Sequence, residues 1–130
     1  METVTNILVV ESDIDEFDHV NNGAYVSYLE KGRRHWYEEA GLSIVEMKER
    51  KVGAVLLKLD VLYKKELRLG DNLKVKTCPQ RKGNKSLTFK QEIFNNKDEL
   101  VTEAIVTCVM FDMEKRRSIK LLHDLAKHFK

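Results

Sequence analysis

The sequence predicts an α+β fold in which one long helix packs against a five-stranded antiparallel sheet. Only residues 25–40 carry a sustained helical period, whereas the later segments follow the period of two that is typical of strands. Short turns separate those segments, and short connections favour antiparallel pairing. At 130 residues the chain has the size of one domain, and we expect residues 1–130 to form a single domain.

Composition narrows the class of function. Apolar residues make up 42% of the chain and charged residues 34%, enough for one core beneath a highly charged surface. The 23 basic residues nearly balance 21 acidic ones, which argues against a dedicated nucleic-acid-binding protein. No apolar run approaches the roughly 20 residues of a membrane span, and the N-terminus lacks the positive charge of a secretion signal. We therefore expect a cytoplasmic protein with no nucleic-acid or membrane partner.

A short strand and the long helix come first. Residues 5–11 are rich in β-forming residues and predict the strand. Asn21 or Asn22 is a good N-cap for the helix, and Gly41 is a suitable stop. One apolar face recurs at three- and four-residue steps, and its members are Tyr25, Tyr28, Leu29, Gly32, Trp36 and Ala40.

The opposite face of the helix is charged, whereas Gly32 lies on the apolar face, in the middle of the helix. Glu30 precedes Arg33 and Arg34 by three and four residues, a spacing typical of a solvated face. Glycine in a helix interior costs about 1 kcal/mol relative to alanine. A close approach between the helix and the sheet would justify that cost.

The rest of the chain is predicted to be mostly strands. Residues 43–51 form a short polar helix or a loop, and residues 121–129 a short tail helix. The predicted strands are 52–64, 73–78, 86–94 and 100–111. The last is apolar at both parities, so we place it centrally with both faces covered. Because one helix covers only one face of a sheet, the sequence predicts an oligomer.

The segment that carries chemistry is the acidic stretch ahead of the helix. It contains Asp13, Asp15, Asp18 and His19. The start of a helix has unpaired backbone N–H groups and a partial positive charge, which favour a carboxylate and a developing oxyanion. This combination suits acyl transfer or hydrolysis.

Other interpretations of this stretch remain open. A calcium-binding loop that starts at Asp13 would have Phe17 at its fifth position and Ala24 at its twelfth, so the EF-hand pattern fails. A different divalent site, or a loop that only caps the helix, are the alternatives. His19 is a surface histidine, a group that orients the substrate, or a general base. We expect no metal and no cofactor.

A basic turn and two cysteines complete the candidate residues. The turn at 81–86 contains Lys82, Lys85 and Ser86, and it is either a solvated hairpin or a phosphate clamp. Cys78 and Cys108 have no metal-type spacing and are expected to be buried free thiols.

The acidic stretch resembles a family signature. The run from Asp13 to Tyr25, DIDEFDHVNNGAY, is similar to the pattern D-x-D-x-x-G-H-V-N-N-x-x-Y of the hotdog-fold acyl-CoA thioesterases, the 4-hydroxybenzoyl-CoA thioesterase/YbgC-like family. Weaker similarities follow at 62–71, 85–87 and 101–112, so the resemblance covers nearly the whole chain. It implies a hotdog fold, with a long central helix wrapped by the sheet, and a homodimer or homotetramer with active sites at the dimer interface.

The resemblance also implies roles for individual residues. Asp15 would attack the thioester of an acyl-CoA or activate water, and His19 and Asn22 would position the carbonyl or the water. Backbone N–H groups of Asn22 and Gly23 would hold the oxyanion. Among the substrate-binding residues, Tyr25 would line the acyl pocket or pack beneath it, and Lys82, Lys85 and Ser86 would bind the coenzyme A phosphates. Tyr63 is a candidate for the same acyl pocket or a core residue.

Three departures from the pattern stand out, and two other functions remain open. Asp18 replaces the usual Gly, Glu66 or Leu67 replaces the usual Pro of the second motif, and the tail lacks the family's Pro. A fatty or aromatic acyl-CoA is the expected substrate. The alternatives are an acyl carrier protein thioesterase and a non-catalytic acyl-CoA sensor or scaffold. A hotdog dehydratase would need a different histidine motif, which is not found.

Overall fold

Antiparallel strands curl around one long helix in the computed structural model, which describes residues 1–129. The sheet order is β1-β3-β4-β5-β2, and a short β6 pairs with β5. The strands are β1 Thr3–Leu8, β2 Val52–Tyr63, β3 Asn72–Lys82, β4 Ser86–Phe94, β5 Leu100–Asp112 and β6 Arg117–Ser118. The helices are α1 Asn22–Ala40, α2 Ile44–Glu49 and α3 His123–Ala126, with a 3-10 turn at Glu11–Asp13. No helix in these residues is long and apolar enough to cross a bilayer.

Local signals set the bounds of α1. Asn21 is the N-cap, and its side-chain oxygen accepts the backbone N–H of Gly23. Gly41 ends the helix with a φ of 97°, a left-handed conformation that glycine adopts without strain. All six residues of the predicted apolar face are buried. The sequence therefore predicted the helix correctly, although α1 begins a few residues earlier than the apolar period.

Arg33 corrects the prediction of a solvated helix face. The ion pair between Glu30 and Arg34 forms at 3.3 Å, but Arg33 is buried. Its Nη1 atom donates to Gln91 Oε1 at 3.0 Å. Gln91 is fully buried, and its Nε2 donates to the carbonyl of Leu29 and to Thr77 Oγ1, both at 2.9 Å. A polar network therefore joins α1 to β3 and β4 inside the core.

The predicted bounds of β1 and β3 were wrong. β1 covers Thr3–Leu8 instead of 5–11, and β3 runs on to Lys82, so the expected basic loop is partly strand. Pro79 is tolerated in β3 because pairing with β1 ends at Thr77, which leaves that edge open, and because a bulge follows it. The tail helix is only one turn long.

β5 is an interior strand, as predicted, but its two faces differ. Its buried side chains alternate along Ala104, Val106, Cys108 and Met110, whereas the residues between them are only half-buried. The outer face is therefore not covered within one chain. β2 forms one edge of the sheet, and its exposed apolar side chains are Val55, Leu56, Leu57, Leu62 and Tyr63.

Candidate active site

A cleft of about 290 Å³ lies where the start of α1 meets the end of β2. It is lined by His19, Val20, Asn22, Tyr25, Tyr63, Lys64, Lys65 and Glu66. Four of these residues were predicted from the sequence to belong to the site. Two loops and one helix end therefore converge on a single opening.

The acidic loop turns back on itself before α1 begins. Ile14 and Val20 form an isolated antiparallel bridge, and the Asp15 N–H donates to the His19 carbonyl at 2.9 Å. At the tip Asp18 takes a φ of 64°, in the left-handed region that favours glycine. This conformation explains why glycine fits the corresponding position of the family pattern. It also returns His19 to the side of Asp15.

The two carboxylates of the D-x-D pair have different surroundings. Asp13 Oδ2 accepts the Tyr28 hydroxyl at 2.8 Å and the Val10 N–H at 3.3 Å. Burial, together with this bond to Asp13, raises the pKa of Tyr28. The half-buried Asp15 accepts two N–H groups of its own loop at Oδ1, at 2.9 and 3.4 Å. Within residues 1–129 its Oδ2 accepts no hydrogen bond, so Asp15 keeps an oxygen for a ligand.

One of the two backbone N–H groups that were predicted to hold an oxyanion is engaged within the first turn of α1. The Gly23 N–H donates to Asn21 Oδ1 at 2.8 Å, and the Ala24 N–H donates to the Asn21 carbonyl at 2.9 Å. Asn22 is the first helical residue and lies exposed in the cleft. An oxyanion at Gly23 must therefore displace or share the Asn21 side chain.

The two tyrosines of the cleft occupy different depths. Tyr25 is 4% exposed, and its hydroxyl accepts the Leu67 N–H at 3.1 Å. Burial raises the pKa of Tyr25. Tyr63 is 45% exposed and meets the Tyr25 ring edge-to-face at 5.0 Å between centroids. Tyr25 thus forms the floor of the cleft, while Tyr63 forms an accessible wall.

Glu66 lines the cleft but was not predicted to be part of the site. His19 Nε2 lies 2.8 Å from Glu66 Oε2. The Arg68 guanidinium holds the other carboxylate oxygen, Oε1, and lowers the pKa of Glu66, with a smaller effect from His19. The available signal was the departure from proline in the second motif, which pointed only to a change in a loop.

The cationic turn lies at the opposite end of the sheet. Lys82 ends β3 and Ser86 begins β4, and the Gly83 N–H closes the turn on the Ser86 carbonyl at 2.9 Å. Ile93 of β4 is level with Tyr63 through their common β5 neighbour. Seven residues of strand separate Ser86 from that level, about 24 Å at 3.4 Å per residue. One chain therefore does not bring Lys82, Lys85 and Ser86 to the cleft.

A second, more apolar cavity of about 420 Å³ lies at the other end of β2. It lies between α2 and the turn after β5, and its lining includes Met47, Gly53 and Met113, with Lys48 and Lys51 also present. Methionine side chains adapt readily to varied apolar shapes. Among residues 1–129, no three histidine, cysteine or acidic side chains are grouped so that they could hold a metal ion.

Known proteins are similar to this chain over most of its length. Residues 9–129 match the family described as the thioesterase-like superfamily. The long-chain acyl-CoA thioesterase FadM of Escherichia coli K12 is 26% identical over 122 residues, which are 93% of this chain and 92% of FadM. The acyl-CoA thioester hydrolase YbgC of Escherichia coli O6:H1 is 28% identical over 124 residues, 95% of this chain and 92% of YbgC.

A solved structure supports the same family and the fold. The DHNA-CoA thioesterase from Staphylococcus aureus superposes with a TM-score of 0.88 and 25% identity, covering 92% of this chain and 80% of that one. The family match spans the acidic loop, α1 and every strand from β2 onward. The chain has the hotdog fold and belongs to the thioesterase-like superfamily.

Proposed function

We propose that this protein hydrolyses the thioester of an acyl-CoA, with Asp15 as the reacting carboxylate. The observation that carries the proposal is the contrast between the two aspartates of the loop. Asp13 is bound to Tyr28, whereas within the described part of the chain Asp15 accepts only N–H groups of its own loop, through one oxygen. The other oxygen of Asp15 can attack the carbonyl carbon or take a proton from water. Both routes use the same carboxylate.

The start of α1 would stabilise the charge that develops during the reaction. As the carbonyl carbon becomes tetrahedral, its oxygen becomes negative, and the N–H groups of Asn22 and Gly23 lie at the positive end of the helix. The Gly23 N–H is released when the Asn21 side chain turns away. Collapse of the intermediate breaks the C–S bond, and the electron pair leaves with the sulfur of coenzyme A.

The active unit is proposed to be a homodimer joined along β2. This edge strand is 12 residues long and exposes several apolar side chains, a surface that favours pairing with another strand. Antiparallel pairing of two copies about a two-fold axis is the simplest closed arrangement. It would bring the Tyr63 end of one copy beside the Val52 end of the other. A further pairing of dimers into a homotetramer would cover the outer face of the sheet.

This dimer gives the cationic turn a role in the site. The turn is level with Val55 of its own β2, because Ser86 and Val55 both pair with Val109. In the dimer, the cleft of one copy therefore lies closer, along the strand direction, to the turn of the second copy than to the turn of its own chain. Lys82, Lys85 and Ser86 of that copy would bind the coenzyme A phosphates, since two ammonium groups and a hydroxyl suit phosphate oxygens.

The same dimer favours a fatty acyl chain over an aromatic acyl group. It would bring the apolar cavity of one copy, at the Val52 end of β2, next to the catalytic cleft of the other. A cavity of about 420 Å³ with two methionines suits a flexible aliphatic tail. A Cβ atom at Gly53 would lie 3.3 Å from Met113 Sδ, so Gly53→Val should narrow the cavity and shift the preferred substrate to shorter chains.

The direct test is thiol release from short, long and aromatic acyl-CoAs by wild type and Asp15→Asn. We expect the variant to lose about 100-fold or more in kcat, because asparagine still accepts the loop N–H groups but is neither a base nor a nucleophile. Asp18→Asn is the matched control, since it removes an equal charge three residues away. Turnover by Asp15→Asn at the wild-type rate would overturn the proposal, and ester binding without turnover by wild type would indicate a sensor.

The role of the turn is tested separately with Lys85→Ala. We expect a higher KM for acyl-CoA and an unchanged KM for a thioester that lacks the nucleotide. Equal effects on both substrates would exclude the phosphate contact. Activity on an acyl carrier protein thioester that exceeds activity on every acyl-CoA would instead identify the carrier protein as the partner.

A further inference from the structure

His19 has a partner that the family pattern does not provide. Its Nε2 atom lies 2.8 Å from Glu66 Oε2, and the two side chains are 48% and 42% exposed. The resemblance has proline at this position or the next, and proline has no carboxylate to hold an imidazole. The pair therefore arises from a departure of this chain from its family.

Glu66 is itself held from several sides. Arg68 Nη2 and Nε donate to its Oε1 at 2.7 and 3.1 Å, which leaves Oε2 for His19. The next residue, Leu67, is fully buried. Its N–H donates to the Tyr25 hydroxyl at 3.1 Å, and its carbonyl accepts the Val20 N–H at 3.2 Å. The backbone beside Glu66 is thus fixed to α1 and to the acidic loop before any ligand binds.

We propose that Glu66 is a positioning residue that keeps the proton of neutral His19 on Nε2, so that Nδ1 is the atom that exchanges protons during the reaction. The inference rests on the proposed hydrolysis. A carboxylate bonded to one imidazole nitrogen fixes the tautomer and the orientation of the ring. Arg68 lowers the pKa of Glu66 and so keeps its carboxylate ionised.

The proton transfers balance with this assignment. In the general-base route, water forms the new C–O bond as Asp15 takes its proton. The C–S bond then breaks, and the Nδ1–H of the imidazolium protonates the departing sulfur, which returns His19 to its neutral Nε2–H form. The proton on Asp15 restores the imidazolium, and the carboxylic acid product loses its own proton to solvent. Glu66 touches no reacting atom and acts only through His19.

A double-mutant cycle tests this dependence. Because both side chains of the His19–Glu66 pair are partly exposed, the contribution of the pair is modest, and we expect Glu66→Ala to lower kcat about five-fold with little change in KM. The kcat of Glu66→Gln should lie between those of wild type and Glu66→Ala, since the amide oxygen of glutamine still accepts the Nε2–H but carries no charge. In a His19→Ala background, Glu66→Ala should have no further effect. Additive losses would overturn the proposal.

The matched control is a second histidine–glutamate pair in the same chain. His35 Nε2 lies 3.5 Å from Glu39 Oε1 on α1, outside the residues that line the cleft. Glu39→Ala removes the same groups from that pair and should leave kcat unchanged. An equal loss of kcat in Glu39→Ala and Glu66→Ala would show a general effect of lost charge and contradict the positioning role.

Nitrogen NMR of the His19 ring provides a measurement that does not require turnover. The wild type should show the neutral ring protonated at Nε2, and Glu66→Ala should show a mixture of both tautomers. The same tautomer populations in both proteins would refute the inference. The spectrum would be the same if the protein did not hydrolyse thioesters. Failure of the hydrolysis proposal can therefore be distinguished from failure of the positioning role of Glu66.

Discussion

Replacing Gly32 with alanine tests how closely α1 lies on the sheet. A Cβ atom at this position would lie 2.7 Å from Val75 Cγ1 and 3.0 Å from Gln91 Nε2 and Thr77 Oγ1. Contacts under 3.0 Å are essentially never seen for real Cβ atoms, so something must move. Gln91 cannot move alone, because its side chain makes three buried hydrogen bonds that span helix and sheet.

The expected change in the free energy of unfolding is the sum of one stabilising and two destabilising contributions. Alanine gains about 1 kcal/mol over glycine in a helix interior. Overpacking a well-packed core costs about 1–3 kcal/mol, and a buried amide that loses a partner costs about 1–3 kcal/mol more. We expect Gly32→Ala to lower the free energy of unfolding by about 3 kcal/mol, which corresponds to a fall in Tm of about 12 °C for a chain of this size.

Urea and thermal unfolding followed by circular dichroism provide the assay. Ser27→Ala, at an exposed position of the same helix, is the control and should gain about 0.5 kcal/mol from helix propensity alone. Val75→Ala removes the nearest atom, so the double variant should lose less stability than the two single variants together. A Gly32→Ala protein as stable as wild type would refute the close contact.

Three further predictions concern other parts of the chain. Burial and the Glu2 carboxylate raise the pKa of the Cys78 thiol to about 11. The rate at which iodoacetamide alkylates Cys78, measured by mass spectrometry, should therefore increase about tenfold per pH unit up to that pKa. Glu2→Gln should accelerate this alkylation. Asp18→Gly should raise the free energy of unfolding by about 0.5 kcal/mol, because glycine adopts its left-handed conformation without strain. Leu57→Lys puts a charge on the exposed edge of β2 and should convert the protein to monomers. Sedimentation equilibrium measures the mass of the particle, and an unchanged mass would exclude β2 as the interface.

The helix was predictable because all its signals are local. The cap at Asn21, the apolar period and the stop at Gly41 lie within or beside α1 itself. The burial of Arg33 was not predictable, because its partner Gln91 lies 58 residues later in the chain. The length of β3 was missed for a similar reason, since an internal proline is tolerated because β1 ends opposite Thr77 and a bulge follows the proline.

The residues of the candidate site also include some that local sequence predicted and one that it did not. Asp15, His19 and Asn22 were predicted together because they belong to one short segment before the helix. Glu66 was missed because it comes from a different loop, and only the folded chain reveals that its carboxylate reaches His19. The distance between the cleft and the turn at Lys85 depends on the strand order, which the period of each strand does not reveal.

The strand order also has a consequence for how the chain folds. β2 is synthesised before β3 and β4, but among the strands of residues 1–129 its only neighbour in the sheet is β5. Paired residues are 60 positions apart at one end, Val52 with Asp112, and 39 apart at the other, Tyr63 with Thr102. Such distant contacts form slowly, since the intervening chain must be ordered first. Until β5 leaves the ribosome, β2 has two open edges and an apolar surface, and in this interval a nascent chain is most exposed to aggregation.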